Sequence, residues 1–412
     1  MTKKILKVAA LSLLMMPASA ILNAQESPYS SYLFAFFSNN SPRGEQIRYA
    51  ISDDGFDYTS LNMGRPVVSS DTIALKKSIR DPHIMRAEDG KTFYMVLTDM
   101  RSSQGWQSND GLILMKSTDL IHWEHTAIDF PTRFPNLEGF DRKNLHAVWA
   151  PQTIWDPTEK KYMIYYSIGR HDWEYPTEDP NFNQPYFKIF YSYVNEDFTD
   201  ITEPKLLFDF GTAAIDGDIV YDKKNDEYVL FFKDEGRSVI NPKGNFRTRQ
   251  GVMRATSNKL TGPYEVEYRH LHKPGQFPVE GSSVFPLINS EEFILMYDCY
   301  ANGYYQFCKG DLENFTYVKD TPTRGTFTPR HGSVMHITAD ERTRLEAWSD
   351  LNLAMLRLRS IPSPTLTLEE VDKRQALLDE AQKTLDTQSK AKAFKSVQKK
   401  IDKMIKSKEY SS

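Results

Sequence analysis

Five times along the chain a strand-like segment opens in the same phase. The openings are Arg80-Asp81-Pro82-His83-Ile84, Trp149-Ala150-Pro151-Gln152, Ile215-Asp216-Gly217-Asp218-Ile219, Val279-Glu280-Gly281-Ser282-Ser283 and Arg330-His331-Gly332-Ser333-Val334. Aligned on the residue before the Pro or Gly, they present Asp81, Ala150, Asp216, Glu280 and His331. The interval is roughly 50–70 residues, the scale of one unit in a radial repeat. Four of the openings lead through a turn into a dense apolar strand: Phe93-Tyr94-Met95-Val96-Leu97, Tyr162-Met163-Ile164-Tyr165-Tyr166, Tyr228-Val229-Leu230-Phe231-Phe232 and Phe293-Ile294-Leu295-Met296-Tyr297. Continuous runs of this kind suit strands covered on both faces.

A more alternating strand follows, with an Asp and an aromatic residue behind it. Leu112 to Trp123, Ile47 to Phe56 and Phe190 to Phe198 carry this pattern, and Gly310 to Phe315 is a weaker copy. Four short strands per repeat make a propeller blade. Four blades are complete from about Ser78 to Val318. The last opening has too little chain after it, whereas the stretch from Tyr32 to Leu61 has outer strands and no opening. Joined, the two ends supply a fifth blade that closes the ring. The predicted fold is all-β, a five-bladed β-propeller over residues 27–362. Within the split blade both Tyr32–Phe37 and Arg344–Trp348 are candidates for the second strand.

A short helical tail is expected over residues 365–408. Thr367-Leu368-Glu369-Glu370 reads as a capping box, with Val371, Leu378, Ala381 and Leu385 at helical spacing. Phe394, Val397, Ile401 and Met404 repeat the spacing among lysines, so two helices or one broken helix are expected, as a surface-packed or partly mobile tail ahead of a partner-docking arm.

At the other end, residues 1–24 read as a signal peptide. Lys3, Lys4 and Lys7 precede a short apolar stretch, and small residues follow at Ala18-Ser19-Ala20 and near Ala24. The stretch is too short, and too interrupted by Pro17, to span a membrane. The mature protein is expected to be exported, periplasmic or extracellular, without an integral membrane segment. A net charge of −4 supplies no basic excess for nucleic acid. Two cysteines, Cys299 and Cys308, flank Asn302-Gly303, a hairpin signal. Were residues 301 and 304 to flank the turn directly, Cys299 would face residue 306, so a disulfide and two buried thiols both stay open.

In a propeller the innermost strands begin near one end of the central axis, so Asp81, Asp216 and Glu280 are expected to share a pocket there. Singly, an Asp before Pro or a Glu before Gly is a common turn residue. Three acids in one repeat phase suit glycosidic cleavage, which needs one ionised carboxylate to activate water and one protonated carboxyl to donate to the leaving oxygen. A third carboxylate nearby raises the pKa of the acid. Trp106, Trp149 and Tyr304 are candidate stacking faces for a sugar.

Taken in order, Arg80-Asp81-Pro82, Val148-Trp149-Ala150-Pro151, Ile215-Asp216 and Val279-Glu280-Gly281 resemble glycoside hydrolase family 43, as does Ser117-Thr118-Asp119-Leu120-Ile121-His122-Trp123. The resemblance runs from about Tyr32 to Trp348. It implies a five-bladed propeller and an inverting hydrolase with Asp81 as general base, Asp216 as modulator and orienter, and Glu280 as general acid. It also implies that His331 is the axial histidine beside a structural Ca2+ ion in the central channel, or beside its waters. Gln152, standing where many relatives carry Asp, and Arg330 join the aromatics as candidate substrate contacts. About eighty residues precede Asp81, more than in many relatives, which affects the pocket rim. Fructan-cleaving propellers share Arg-Asp-Pro but also need Asn-Asp-Pro and Glu-Cys, absent here.

The leading expectation is an exported glycosidase acting on side chains of plant polysaccharides. By family frequency α-L-arabinofuranosidase comes first, β-xylosidase second, and a galactan- or galactofuranoside-cleaving enzyme third. From other classes, a non-catalytic carbohydrate-binding propeller would bind sugar without turnover, and a protein-interaction propeller would have no sugar affinity.

Overall fold

The computed structural model describes residues 27–177 and 182–409, so the expected signal peptide lies outside it. Five four-stranded antiparallel sheets form the ring. Blade I comprises Ile79–Arg86, Phe93–Asp99, Gly111–Ser117 and Glu124–Asp129. Blade II comprises Leu145–Asp156, Lys161–Arg170, Tyr186–Tyr193 and Lys205–Phe208. Blade III comprises Ala214–Asp222, Glu227–Asp234, Val252–Ser257 and Glu265–Glu267. Blade IV comprises Glu280–Pro286, Phe293–Cys299, Tyr304–Gly310 and Phe315–Pro322. Blade V takes Gly332–Ile337 from the C-terminal side as its inner strand and Ser31–Phe36, Arg48–Ser52 and Tyr58–Ser60 from the N-terminal side.

The apolar second strands are covered on both faces because each lies between two inter-blade cores. Met95 and Leu97 pack toward Leu33 and Met335 of blade V, while Val96 packs toward Val148 and Ile164 of blade II. The same alternation sends Leu230 and Phe232 toward blade II and Val229 and Phe231 toward blade IV.

The second strand of blade V is Ser31–Phe36, with Phe34 facing Val334. Residues 344–348 lie instead in a 22-residue helix, Ala339–Ser360, that begins at a Thr338–Glu341 capping box. Its buried residues Leu345, Trp348, Leu351, Met355 and Leu358 recur at three- and four-residue steps, a helical period. Two more helices follow, Leu368–Thr387 from the Thr367–Glu370 capping box and Ala391–Glu409. Leu378, Ala381 and Leu385 of one and Phe394, Val397 and Ile401 of the other close a core against Trp348, Leu351 and Leu358. Val67 and Ile121 of the propeller pack against that core, and His122 bonds the Leu385 carbonyl through Nε2 at 2.7 Å. The tail is thus docked. Among the described residues no helix is long and apolar enough to cross a membrane.

Cys299 and Cys308 are buried free thiols. Cys299 faces Tyr304 and Cys308 faces Leu295, because the hairpin loop holds four residues, 300–303, and not two.

Each inner strand of blades I to IV carries a bulge at one phase. The register shifts fall between Arg80 and His83, Trp149 and Gln152, Ile215 and Asp218, and Glu280 and Ser283. The first bulged residue is left-handed each time: Asp81 (φ 49°), Ala150 (49°), Asp216 (54°) and Gly281 (58°). The alignment on Pro and Gly is therefore corrected in blade IV, where Gly281 is the partner of Asp81 and Asp216. Glu280 stands one residue earlier, in phase with Arg80, Trp149 and Ile215. Glycine is required at 281 because a Cβ would come within 2.7 Å of the His331 ring at a backbone angle that already disfavours side chains.

Three residues beyond each left-handed position, the backbone N–H donates to a side chain of the preceding blade. Ile84 donates to Ser333 Oγ (2.8 Å), Thr153 to His83 Nδ1 (3.2 Å), Ile219 to the Tyr165 hydroxyl (2.9 Å) and Val284 to Asp218 Oδ2 (2.7 Å). These bonds stitch the ring. Burial pushes Asp218 up to about 7, against the Val284 bond and His331. A carboxyl raised above its ordinary value of about 4 contributes stability that is full below that value and is lost as pH rises through about 7. Asp218→Asn keeps an acceptor without the charge, so its melting temperature relative to wild type should rise by roughly 3 °C or more between pH 5 and pH 8. A difference that stays constant with pH would show that Asp218 does not titrate there.

Candidate active site

The bulges re-aim the residues that begin the inner strands toward one end of the axis. Asp is among the few side chains that tolerate a left-handed backbone, so Asp81 and Asp216 occupy these positions at little cost. They open with Glu280 and His331 into one pocket. Phe37, Met100, Trp106, Trp149 and Ile215 supply its apolar wall.

Asp81 Oδ2 accepts from the Thr98 hydroxyl at 2.8 Å, and Oδ1 lies 3.4 Å from His331 Nδ1. That hydroxyl in turn accepts from the Ala150 N–H at 2.9 Å. Asp216 Oδ2 accepts from the Gly281 N–H at 3.0 Å, and Oδ1 is 3.9 Å from the same His331 nitrogen. Glu280 is held on both oxygens, by Arg330 Nη2 at 2.8 Å and by Lys233 Nζ at 3.0 Å. Arg330 Nε donates to Asp298.

These contacts order the titrations. Burial alone would raise Asp81, but the bond to His331, its charge and that of Arg80 outweigh it and hold the group below the usual carboxylate range. Asp216 is pushed up to about 6 by burial and by the neighbouring charges of Glu280 and Asp81, with His331 and Lys233 opposing. Burial would also raise Glu280, yet Lys233 and Arg330 hold it low. His331 resists the desolvation that would discharge it and rises to about 9 between the acids. At neutral pH the pocket thus holds an ionised Asp81 facing an imidazolium.

A second ring of residues supports the first. Opposite Arg80, Trp149, Ile215 and Glu280, the second strands place Thr98, Ser167, Lys233 and Asp298 in equivalent register. Three of these four bond the acids directly or through Arg330. Lys233 interrupts an apolar strand after Phe231-Phe232, the one signal in the sequence that pointed to it.

Trp106 is half-exposed, with Arg80 under its ring at 5.3 Å and Trp149 edge-on at 6.4 Å. Trp149 stacks on Phe187 at 4.6 Å, so one face is taken, and its buried Nε1–H has no partner among the described residues. It offers a donor as well as an edge. Two of the expected contacts are not brought to the pocket. Gln152 is buried between blades, accepting from the Tyr165 hydroxyl at 3.2 Å, because it lies two residues past the left-handed position on the side turned from the pocket. Tyr304 donates to Gln276 at 2.8 Å instead. The longer hairpin loop puts Tyr300 near the site, 5.5 Å from Lys233 Nζ and 5.7 Å from the Arg330 guanidinium carbon.

His331 does not fit a calcium ligand in this arrangement. Ca2+ takes six to eight oxygen ligands, whereas His331 offers a ring nitrogen whose Nδ1 already faces Asp81 at 3.4 Å and Asp216 at 3.9 Å. Among the described residues no three His, Cys, Asp or Glu side chains are set to hold a metal ion.

A family profile described as "Probable glycosyl hydrolase domain" (Glyco_hydro_43_rel) matches residues 27–343. An α-L-arabinofuranosidase of Bifidobacterium longum subsp. longum is 25% identical over 317 residues, 71% of this chain. The match spans 29% of that relative's length. Among solved structures, an exo-1,5-α-L-arabinanase from a bovine ruminal metagenomic library is 16% identical with a TM-score of 0.47, covering 72% of this chain and 95% of that one. A family-43 β-1,3-galactosidase is 10% identical with a TM-score of 0.49, covering 73% and 59%.

Proposed function

The chain belongs to the glycosyl hydrolases related to family 43, and on that premise we propose that it is an exported, inverting glycosidase that removes α-L-arabinofuranosyl residues from side chains of plant polysaccharides. The observation that carries the hydrolytic reading is the convergence of Asp81, Asp216 and Glu280 from three blades on one pocket around His331. The arabinofuranosyl preference rests on the curated relative's name over the shared 317 residues. Export rests on the basic and apolar residues at the N-terminus.

In this reading the ionised Asp81 takes a proton from a water molecule as that water attacks the anomeric carbon. Glu280, once protonated, donates to the glycosidic oxygen from the opposite side of the ring. Asp216, bonded to the Gly281 N–H beside Glu280, orients that side of the site and adds negative charge that favours a protonated acid. Trp106 and Trp149 flank the sugar.

Release of sugar from nitrophenyl arabinofuranoside, xyloside, galactoside and galactofuranoside, with Glu280→Ala beside the wild type, tests the proposal. Arabinose released by the wild type alone is the expected result. Release of another sugar alone would reassign the specificity, and sugar binding without release, on polysaccharides as well as the panel, would make the chain a binding propeller.

A further inference from the structure

The carboxyl that this reaction uses as its acid is bound on both oxygens by cations, and an acid needs one of them for a proton. Arg330 is anchored from behind by Asp298, which is 2% exposed. Lys233 has a second anion as well, but on a flexible stem rather than a fixed fork. Its ammonium, on a side chain 3% exposed, also pairs with Glu235 Oε2 at 2.6 Å, closer than with Glu280 at 3.0 Å. That buried carboxylate oxygen has no partner besides Lys233 among the described residues. An ammonium so deeply buried persists only beside anions, and here two stand within reach of one flexible stem.

Resting on the glycosidase reading, we infer that Lys233 is a positioning residue for the general acid, shared between Glu280 and Glu235. In the empty site it holds Glu280 as a carboxylate. When the leaving-group oxygen of a sugar enters, the ammonium lets go of Glu280 Oε2 and stays with Glu235 Oε2, already 2.6 Å away. Glu280 then takes a proton from bulk solvent on Oε2, matched by the one Asp81 returns to solvent after each turnover, and passes it to the glycosidic oxygen as the anomeric C–O bond breaks, the electron pair leaving with that oxygen. The incoming water forms the new C–O bond and gives its proton to Asp81. Facing the same carboxyl are Asp216 from the blade III inner strand, His331 just before that of blade V, Asp298 and Arg330 beside it, and Tyr300 in the loop, with Arg237 at 3.9 Å behind Glu235.

The test is the pH dependence of kcat and of kcat/KM on whichever glycoside is cleaved. The first reports the bound enzyme and the second the free one. In the wild type the alkaline limb of kcat should lie about one unit above that of kcat/KM. In Lys233→Met both limbs should meet at the higher value, and in Glu235→Gln both should meet at the lower value. Lys233→Arg should restore part of the separation. A merely structural lysine would lower both constants without moving either limb, so coincident wild-type limbs, or a separation unchanged in Glu235→Gln, would overturn the inference. Should Lys233→Met fail to fold, Glu235→Gln decides. A second readout needs no turnover: infrared titration of the Glu280 carboxyl in the free protein, with its band assigned by its loss in Glu280→Gln. The band should titrate higher in Lys233→Met. A chain silent on every glycoside that still shows this shift would refute the glycosidase reading and leave the Lys233–Glu280 coupling standing; no shift refutes the coupling itself.

Discussion

Asp81→Asn should lower turnover by about 10²–10⁴-fold, the contribution of a positioned general base, while the melting temperature stays near that of the wild type. Asparagine has the size of aspartate and is equally at home at φ 49°. Its amide oxygen can still accept from the Thr98 hydroxyl, whose own acceptance from the Ala150 N–H ties blade II to blade I. What disappears is the negative charge that draws a proton from water. His331 also loses one of its two facing carboxylates, and Asp216 remains to pair with it. A purified, folded Asp81→Asn protein that cleaves at the wild-type rate would remove Asp81 from the reaction.

Glu280→Gln should have an effect that depends on the substrate. On a natural glycoside, where the leaving sugar oxygen must be protonated, the loss should again be on the order of 10²–10⁴-fold. On an aryl glycoside whose leaving group departs as a stable anion, most of that loss should be recovered. The variant should fold, because the two cations that hold Glu280 keep other anions: Lys233 has Glu235, and Arg330 has Asp298. Equal losses on both substrates, measured as kcat/KM on one preparation, would show that Glu280 does not deliver the proton.

Much of the ring is legible in the residues alone. The apolar strands such as Tyr228 to Phe232 must be covered on both sides, and a blade between two neighbours is the arrangement that covers them. The missing opening near Tyr32 and the surplus one at Arg330 require the ends to meet, as they do where Phe34 faces Val334. The capping box at Thr367 marks a helix start, and the helix begins there. The helix Ala339–Ser360 is harder to read, because Arg344 to Trp348 in isolation is short enough to suit either period.

By itself the sequence determined roughly where the inner strands lie, how many blades there are and where the chain closes, since these follow from hydrophobic periodicity and turn chemistry along a local stretch. Only the tertiary structure decided which way those residues face and what holds them. Side chains alternate along a strand, so a two-residue bulge decides whether the next group faces the pocket or a neighbouring blade. That is why Gln152 is buried away from the site and why Glu280, one step out of phase, still reaches it. The partners of the acids, Thr98, Lys233 and Asp298, come from the facing strand, whose register depends on pairing across the sheet.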